Sequence, residues 1–308
     1  MSVRVHKPMR RGLLHGNWFG SISVLPFLVL VLGVAGYALV QVVQMAFSHI
    51  KIEQGQFVWS AAGWDNFRAV AQDPAALHSI LVTIVFVVLT VALSVSLGTL
   101  LAVLVHRTVV LSRISRLLVI WPAVVTPVVV SVIWLLLLSP NIGLLNKILE
   151  TIGLPDQGWL GTETGAMAAI ILVDVWHWTP VAFLLIYSAL CAIDGELIEA
   201  ARCDGANEWT LFWFVQLPIL WPAIATTIFI RAVMGVKAFD EMYLLTAGGP
   251  NQATTLVSLH IRDVFFDQLN LGYGAAFSIV VLVLVICLTA AMALSRRVLQ
   301  RRSEAALA

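Results

Sequence analysis

Residues 199–222 read Glu199-Ala-Ala-Arg-Cys-Asp-Gly-Ala-Asn-Glu-Trp-Thr-Leu-Phe-Trp-Phe-Val-Gln-Leu-Pro-Ile-Leu-Trp-Pro222, a polar break between two long apolar runs. Ala200, Ala201 and Ala206 leave little side-chain bulk, so the backbone there can lie close against a partner surface. Glu199 offers one carboxylate suited to a charge-assisted bond with an arginine. Asp204-Gly205 is a turn dipeptide, because glycine accepts backbone angles that other residues resist. Leu217-Pro218 is expected to open the next helix, since proline suits a first turn. Trp209, Phe212, Trp213 and Phe214 are too apolar for a solvated loop and are expected to be buried against protein or the membrane interface.

The flanking runs place the chain in a bilayer. Of 308 residues, 60% are apolar and 11% charged, against roughly 25% charged in a soluble domain; the mean hydropathy is +0.95. Residues 12–50, 74–106, 117–146 and 268–295 carry no Asp, Glu, Lys or Arg. Each exceeds the ~20 residues that cross the hydrocarbon core as a helix. Two further runs, 165–191 and 218–245, contain isolated charges and are also long enough. The expectation is an all-α membrane protein of six spans: 21–47, 79–105, 117–139, 165–191, 218–245 and 272–295. A segment 1–20, a loop 192–217 and a tail 296–308 lie outside them.

Arg4, Lys7, Arg10, Arg11, Arg107, Arg113, Arg116, Arg202, Arg296, Arg297, Arg301 and Arg302 fall on one face of this topology, twelve of the eighteen basic residues. Positive residues are retained on the cytoplasmic side, so both termini and the 192–217 loop are predicted cytoplasmic in a multi-pass plasma-membrane protein. The first apolar run is too long for a secretory signal core and reads as a retained span. Cys191, Cys203 and Cys287 imply no disulfide framework. The basic ends suit anionic lipid head groups rather than nucleic acid.

Charges inside spans cost about 2.5–3.5 kcal/mol each and rarely face lipid. Asp174 lies ~14 Å into the fourth span from the outside, and Arg231 ~20 Å into the fifth from the inside, at 1.5 Å per residue. Their depths match within a ~30 Å core, so they are expected to face the interior and either pair or line a water-filled path. Trp176, His177, Trp178 and Thr179 follow Asp174, a mixture of flat aromatic faces and polar groups suited to a polar ligand. Lys237, Asp240, Glu241 and Tyr243 near the outer end of the fifth span either gate the mouth or act as snorkelling and interface residues. Pro122, Pro127 and Pro180 are expected to kink their helices. No Gly-x-x-x-x-Gly-Lys-[Ser/Thr] loop, His-Glu-x-x-His, Gly-x-Ser-x-Gly or Cys-x-x-Cys pattern is present, so no catalytic, metal-ligating or nucleotide-binding set is expected in this chain.

The loop resembles the signature of binding-protein-dependent ABC importer permeases: Glu-Ala-Ala, a Gly six positions after the Glu, and an aliphatic-x-Leu-Pro group ten positions later. Glu199, Ala200, Ala201, Gly205, Val215, Leu217 and Pro218 fit without a gap, and Asp204, Ala206, Phe212 and Pro222 match the carbohydrate-importer branch, as does Leu244 to Pro250. The resemblance is to the first permease subunit of maltose, glycerol-3-phosphate and trehalose importers. It implies a type I importer permease with a MetI-like core, and a coupling helix carrying Glu199, Ala200, Ala201, Asp204, Gly205, Ala206, Phe212, Leu217 and Pro218 to a separate ATPase. By register it makes His177, Trp178, Val181, Arg231 and Gly235 solute-facing. It further implies a related second permease, two ATPase subunits that bind the ATP and magnesium, and an extracytoplasmic solute-binding protein in a bacterial or archaeal inner membrane. The alternative is an ion-gradient-driven secondary transporter using Asp174, Arg231 and Asp240 as coupling charges.

Overall fold

The computed structural model describes residues 16–107 and 112–307; Arg4, Lys7, Arg10 and Arg11, on which the expected orientation partly rests, lie outside them. Helix α1 (Gly16–Ala46) leads into a hairpin of β1 (Ser48–Glu53) and β2 (Gln56–Ala61), then α2 (Asp65–Gln72) and α3 (Pro74–Arg107). After α4 (Ser112–Val124), α5 (Pro127–Leu137) and α6 (Leu144–Thr151) come α7 (Glu163–Cys191) and α8 (Gly195–Cys203). A three-residue α9 (Glu208–Thr210) continues through a π-helical turn, Leu211–Gln216, into α10 (Leu217–Val236). Helices α11 (Asp240–Thr246), α12 (Val257–Arg262) and α13 (Leu271–Leu307) complete the chain.

Among the described residues five helices are long and apolar enough to cross a membrane, and α4 with α5 makes a sixth span if the bent pair counts as one. That pair corrects the expected continuous span 117–139: the two helices meet at 98°. Thr126 is extended (φ −69°, ψ 146°) because the residue before a proline is driven out of the α region, and Pro127 then starts α5. Pro180, by contrast, sits within an uninterrupted α7. The fifth span is also displaced from 218–245. It runs Glu208–Val236, so the last ten residues of the expected 192–217 loop, 208–217, belong to it, and Lys237–Phe239 separate it from α11. Leu217-Pro218 does open α10, with the proline in its first turn, but the chain enters α10 from a π-helical turn rather than from a loop. Pro218 has no N–H to donate to that turn, in which Leu217 N–H reaches back to Phe212 O, and the wide geometry accommodates the loss. Helix α1 begins at Gly16, inside the segment expected to precede the first span.

Helices α3 and α7 form the centre, with α10 across both, α4 on α7, α5 on α11 and α1 on α13. In the most apolar window of α7 67% of residues are buried, and in that of α1 none are. A helix apolar all round and so little covered by its own chain suits solvation by hydrocarbon. The α3–α7 contact is close because position 98 is glycine: a Cβ there would meet Ala182 Cβ at 2.8 Å and Phe183 N at 2.9 Å. Gly98→Val is expected to cost about 1–3 kcal/mol by overpacking, read as a lowered unfolding midpoint of the purified protein in detergent.

The hairpin was not anticipated. Gln54 (φ 52°) and Gly55 (φ 78°) form a two-residue turn with both residues left-handed, which suits the twist of paired strands. Asn66 fastens the far end of α1 by donating to Ala46 O and Ser48 O. Asp73 caps α3 by accepting from Ala75 N at 2.8 Å and from the Tyr273 hydroxyl of α13. Burial works to raise its pKa, but the bonds from Tyr273 and Ala75 outweigh that and hold the carboxyl below its usual range. This contact therefore stabilises the fold near neutral pH and is lost as pH falls through the depressed value.

Candidate functional site

A buried ion pair and a buried imidazole–carboxyl contact meet where α7, α10 and α11 converge. Arg231 on α10 is fully buried, its Nη2 donating to Asp174 Oδ2 of α7 at 2.5 Å and its Nε to Ser94 Oγ of α3 at 3.2 Å. The matched depths thus correspond to direct contact. Neither charge can be left alone in this setting, since breaking a buried pair costs several kcal/mol. Among the described residues Nη1 of Arg231 has no hydrogen-bond partner. One helical turn along α7, His177 contacts Glu241 of α11 through Nδ1, and Nε2 lies 3.0 Å from Val125 O at the break between α4 and α5.

These groups border a cavity of about 310 Å³, within the size range of small-molecule sites. Of the residues singled out in the sequence, Asp174, Trp178, Arg231, Lys237, Asp240 and Glu241 line it. His177 stands behind the wall, with the Trp178 ring 4.5 Å from its own. Val181 and Gly235 do not line it. Gly235 is buried against Val87 of α3, whose Cγ2 would be 3.1 Å from an added Cβ. Tyr243 is also outside the cavity, stacked at 5.5 Å on Phe239 and covered by the Arg262 guanidinium at 4.9 Å. Phe239 does line it and was missed. The sequence reading carried one helix through residue 245 and gave Phe239 no role; the polar pair Lys237 and Asp240 around it was the available signal of a break.

The second candidate site is the loop at the end of the bundle where α3 finishes. Asp194 caps α8 by accepting from Glu196 N at 3.0 Å. Its other end closes with Gly205 N–H to Arg202 O and Ala206 N–H to Ala201 O, both 3.0 Å, and Gly205 at φ +85°. This is the paired closure that a left-handed glycine permits. No residue of α8 is buried: Glu199, Ala200, Asp204 and Gly205 are exposed, Ala201 and Ala206 half-buried. Phe212 and Leu217 instead anchor the following turn in the hydrophobic core under α3 and α7, with Pro218 exposed. Glu208 bridges Arg202 at 3.0 Å and Arg107 of α3 at 3.5 Å, exposed contacts that orient more than they stabilise. Within this chain Phe212 is half-buried, whereas Trp209 is 71% and Phe214 77% exposed, so the chain's own packing covers only the first, and for the others the expectation rests on the membrane interface.

The family model described as the inner membrane component of binding-protein-dependent transport systems matches residues 94–303. The chain is 33% identical over 248 residues to the probable ABC transporter permease protein y4oQ of Sinorhizobium fredii, covering 76% of this chain and 80% of that one. It is 34% identical over 227 residues to the trehalose/maltose transport system permease protein MalF of Thermococcus litoralis, with 74% and 77% covered. To the sn-glycerol-3-phosphate transport system permease protein UgpA of Brucella abortus it is 35% identical over 229 residues, with 73% and 77% covered. Its fold matches a chain of the crystal structure of a bacterial alginate ABC transporter in complex with alginate pentasaccharide-bound periplasmic protein, at TM-score 0.80 and 22% identity over 92% of this chain and 95% of that chain. The chain is therefore an all-α, multi-pass member of the family of inner membrane components of binding-protein-dependent transport systems, the ABC transporter permeases.

Proposed function

We propose that this chain is one permease subunit of an ATP-driven importer for a sugar or sugar-like solute, forming half of the translocation pathway around the 310 Å³ cavity. The observation that carries this reading is α8: a fully capped helix bearing Glu199, Ala200 and Ala201, none of whose residues is buried in its own chain. A separate ATPase, which binds the ATP and magnesium, receives this helix in a cleft on the cytoplasmic side. A second, related permease completes the pathway, and an extracytoplasmic solute-binding protein delivers to the opposite end, near Gly248-Gly249-Pro250. Both termini are cytoplasmic. Closure of the ATPase pair shifts α8, the turn 211–216 passes the movement into α10, and access to the cavity alternates between the two sides.

The cavity supports the carbohydrate class. Trp178 and Phe239 supply flat faces for the C–H side of a sugar ring, and the surrounding carboxylates and cations supply donors and acceptors for hydroxyls. Trehalose/maltose and sn-glycerol-3-phosphate systems among the relatives point the same way. Trp178→Ala and Phe239→Ala are each expected to raise the KM for uptake roughly fivefold, for a stacking contribution of about 1 kcal/mol. Co-purification of the assembly, reconstitution in liposomes and uptake of labelled trehalose, maltose and sn-glycerol-3-phosphate test the proposal. Uptake that needs ATP, ATPase and receptor is expected. Transport by the purified chain alone under a proton or sodium gradient would overturn the reading in favour of a secondary transporter.

A further inference from the structure

The imidazole of His177 faces a hydrogen-bond acceptor on both sides, the Val125 carbonyl at Nε2 and the Glu241 carboxyl at Nδ1. A neutral imidazole has a single N–H, so it cannot donate to both. Both contacts are satisfied only if one more proton is present, either on an imidazolium that donates twice or on a Glu241 carboxylic acid that donates to Nδ1. We infer that His177 and Glu241 hold one proton in common, and that this proton-bridged pair is the positioning element that seats the broken third span against the solute cavity.

The location gives the proton a mechanical role. Val125 stands between α4 and α5, where the 98° bend turns its carbonyl out of the helix. A donor at that point, particularly a cationic one, complements the C-terminal end of α4. Helix α4 packs on α7 and α5 packs on α11. His177 of α7, bound to the break on one side and to α11 on the other, therefore joins the elements that carry Pro127 and Glu241, both of which line the cavity. His177 and Glu241 are almost entirely buried, so water does not replace a lost bond. Around them Asp174 and Arg231 already satisfy one another, and Lys237 and Asp240 lie at the cavity wall. With the proton removed, either Nδ1 or Nε2 presents a lone pair to an acceptor, and one of the two bonds, to α11 or to the break, is lost.

Glutamine at 241 separates a proton requirement from a charge requirement. Its amide N–H donates to Nδ1, which leaves the single N–H of neutral His177 for Val125. Leucine at 241 donates nothing, and phenylalanine at 177 fills space without either bond. In the reconstituted assembly, ATP-driven uptake of labelled trehalose by E241L and H177F is expected to fall roughly tenfold or more, as for a buried polar group left unpaired, with kcat rather than KM reduced. E241Q is expected to retain roughly tenfold more uptake than E241L, its amide restoring the lost donor. Wild-type uptake by E241L, or an E241Q as low as E241L, would overturn the inference.

The inference rests on the cavity being the solute path, but its chemistry has a readout that needs no transport. In the wild-type assembly labelled with ¹⁵N-histidine, with the His177 signals assigned by their loss in H177F or H177Q, Nε2 is expected to carry a proton. A His177 protonated on Nδ1 alone would overturn the proposal whatever the uptake assay shows. Failure of wild type to take up any sugar would instead count against the transported class.

Discussion

Glu199→Lys is expected to abolish ATP-driven uptake while leaving membrane insertion and the recovered amount of the chain unchanged. Glu199 is exposed and belongs to a helix with no buried residue, so its replacement does not disturb this chain's own packing. On the proposed coupling role, what it removes is a carboxylate offered to a partner. Truncating one member of a desolvated charge pair at an interface costs about 2–5 kcal/mol, and a lysine adds repulsion against the arginine expected opposite it. Gly205 makes the same argument through the backbone. A Cβ there meets nothing within 4 Å, but φ is +85°, so the cost of a side chain is conformational, about 1–2 kcal/mol, and greatest when β-branched. Gly205→Val is therefore expected to misdirect α8 and uncouple transport, whereas Gly205→Asn, which tolerates left-handed backbone, retains much more activity. Uptake and ATPase assays on the assembly, with surface labelling of Cys203 to monitor α8, check both. Full transport in Glu199→Lys would remove the coupling role.

Asp174→Leu is expected to have the largest effect on stability. It leaves the Arg231 guanidinium buried with only Ser94 as a partner, a loss of about 3–5 kcal/mol. Replacing both, as Asp174→Leu with Arg231→Met, removes the uncompensated charge, and pairs so replaced are often neutral or more stable. The double variant should therefore regain the wild-type unfolding midpoint in detergent without regaining uptake, because two of the cavity's polar groups are gone. Recovery of transport along with stability would show that the pair holds two helices together and does not serve the solute. A single variant as stable as wild type would mean that Arg231 finds another partner.

How these residues came to be legible differs between the two sites. The 199–206 loop works through a local backbone: an N-cap, three small residues and a left-handed glycine, all readable from neighbours in the chain. The cavity depends on contacts between residues 57 positions apart for Asp174 and Arg231 and 64 for His177 and Glu241. For the first pair the regular rise of a helix gave the common depth, since depth follows from counting residues, and left open the pairing itself. For the second it was not, because Glu241 lies beyond a break at Lys237–Phe239 that a hydropathy run conceals. Apolar content cannot distinguish one long helix from two short ones meeting at an angle.

The order of the apolar runs, the membrane setting, the α8 motif and the two buried charges all follow from residue type and local spacing. They reflect hydrophobic transfer, helical rise and backbone preference, which act over a few residues at a time. The 98° bend at Val125–Thr126, the seating of Phe239 at the cavity, the exclusion of Val181 and Gly235 from it and the joining of His177 to Glu241 arise from packing. Each depends on which helices approach closely enough to bury a polar group, and that is set by the whole bundle at once, with Gly98 allowing α3 and α7 to touch and the rest arranged around them.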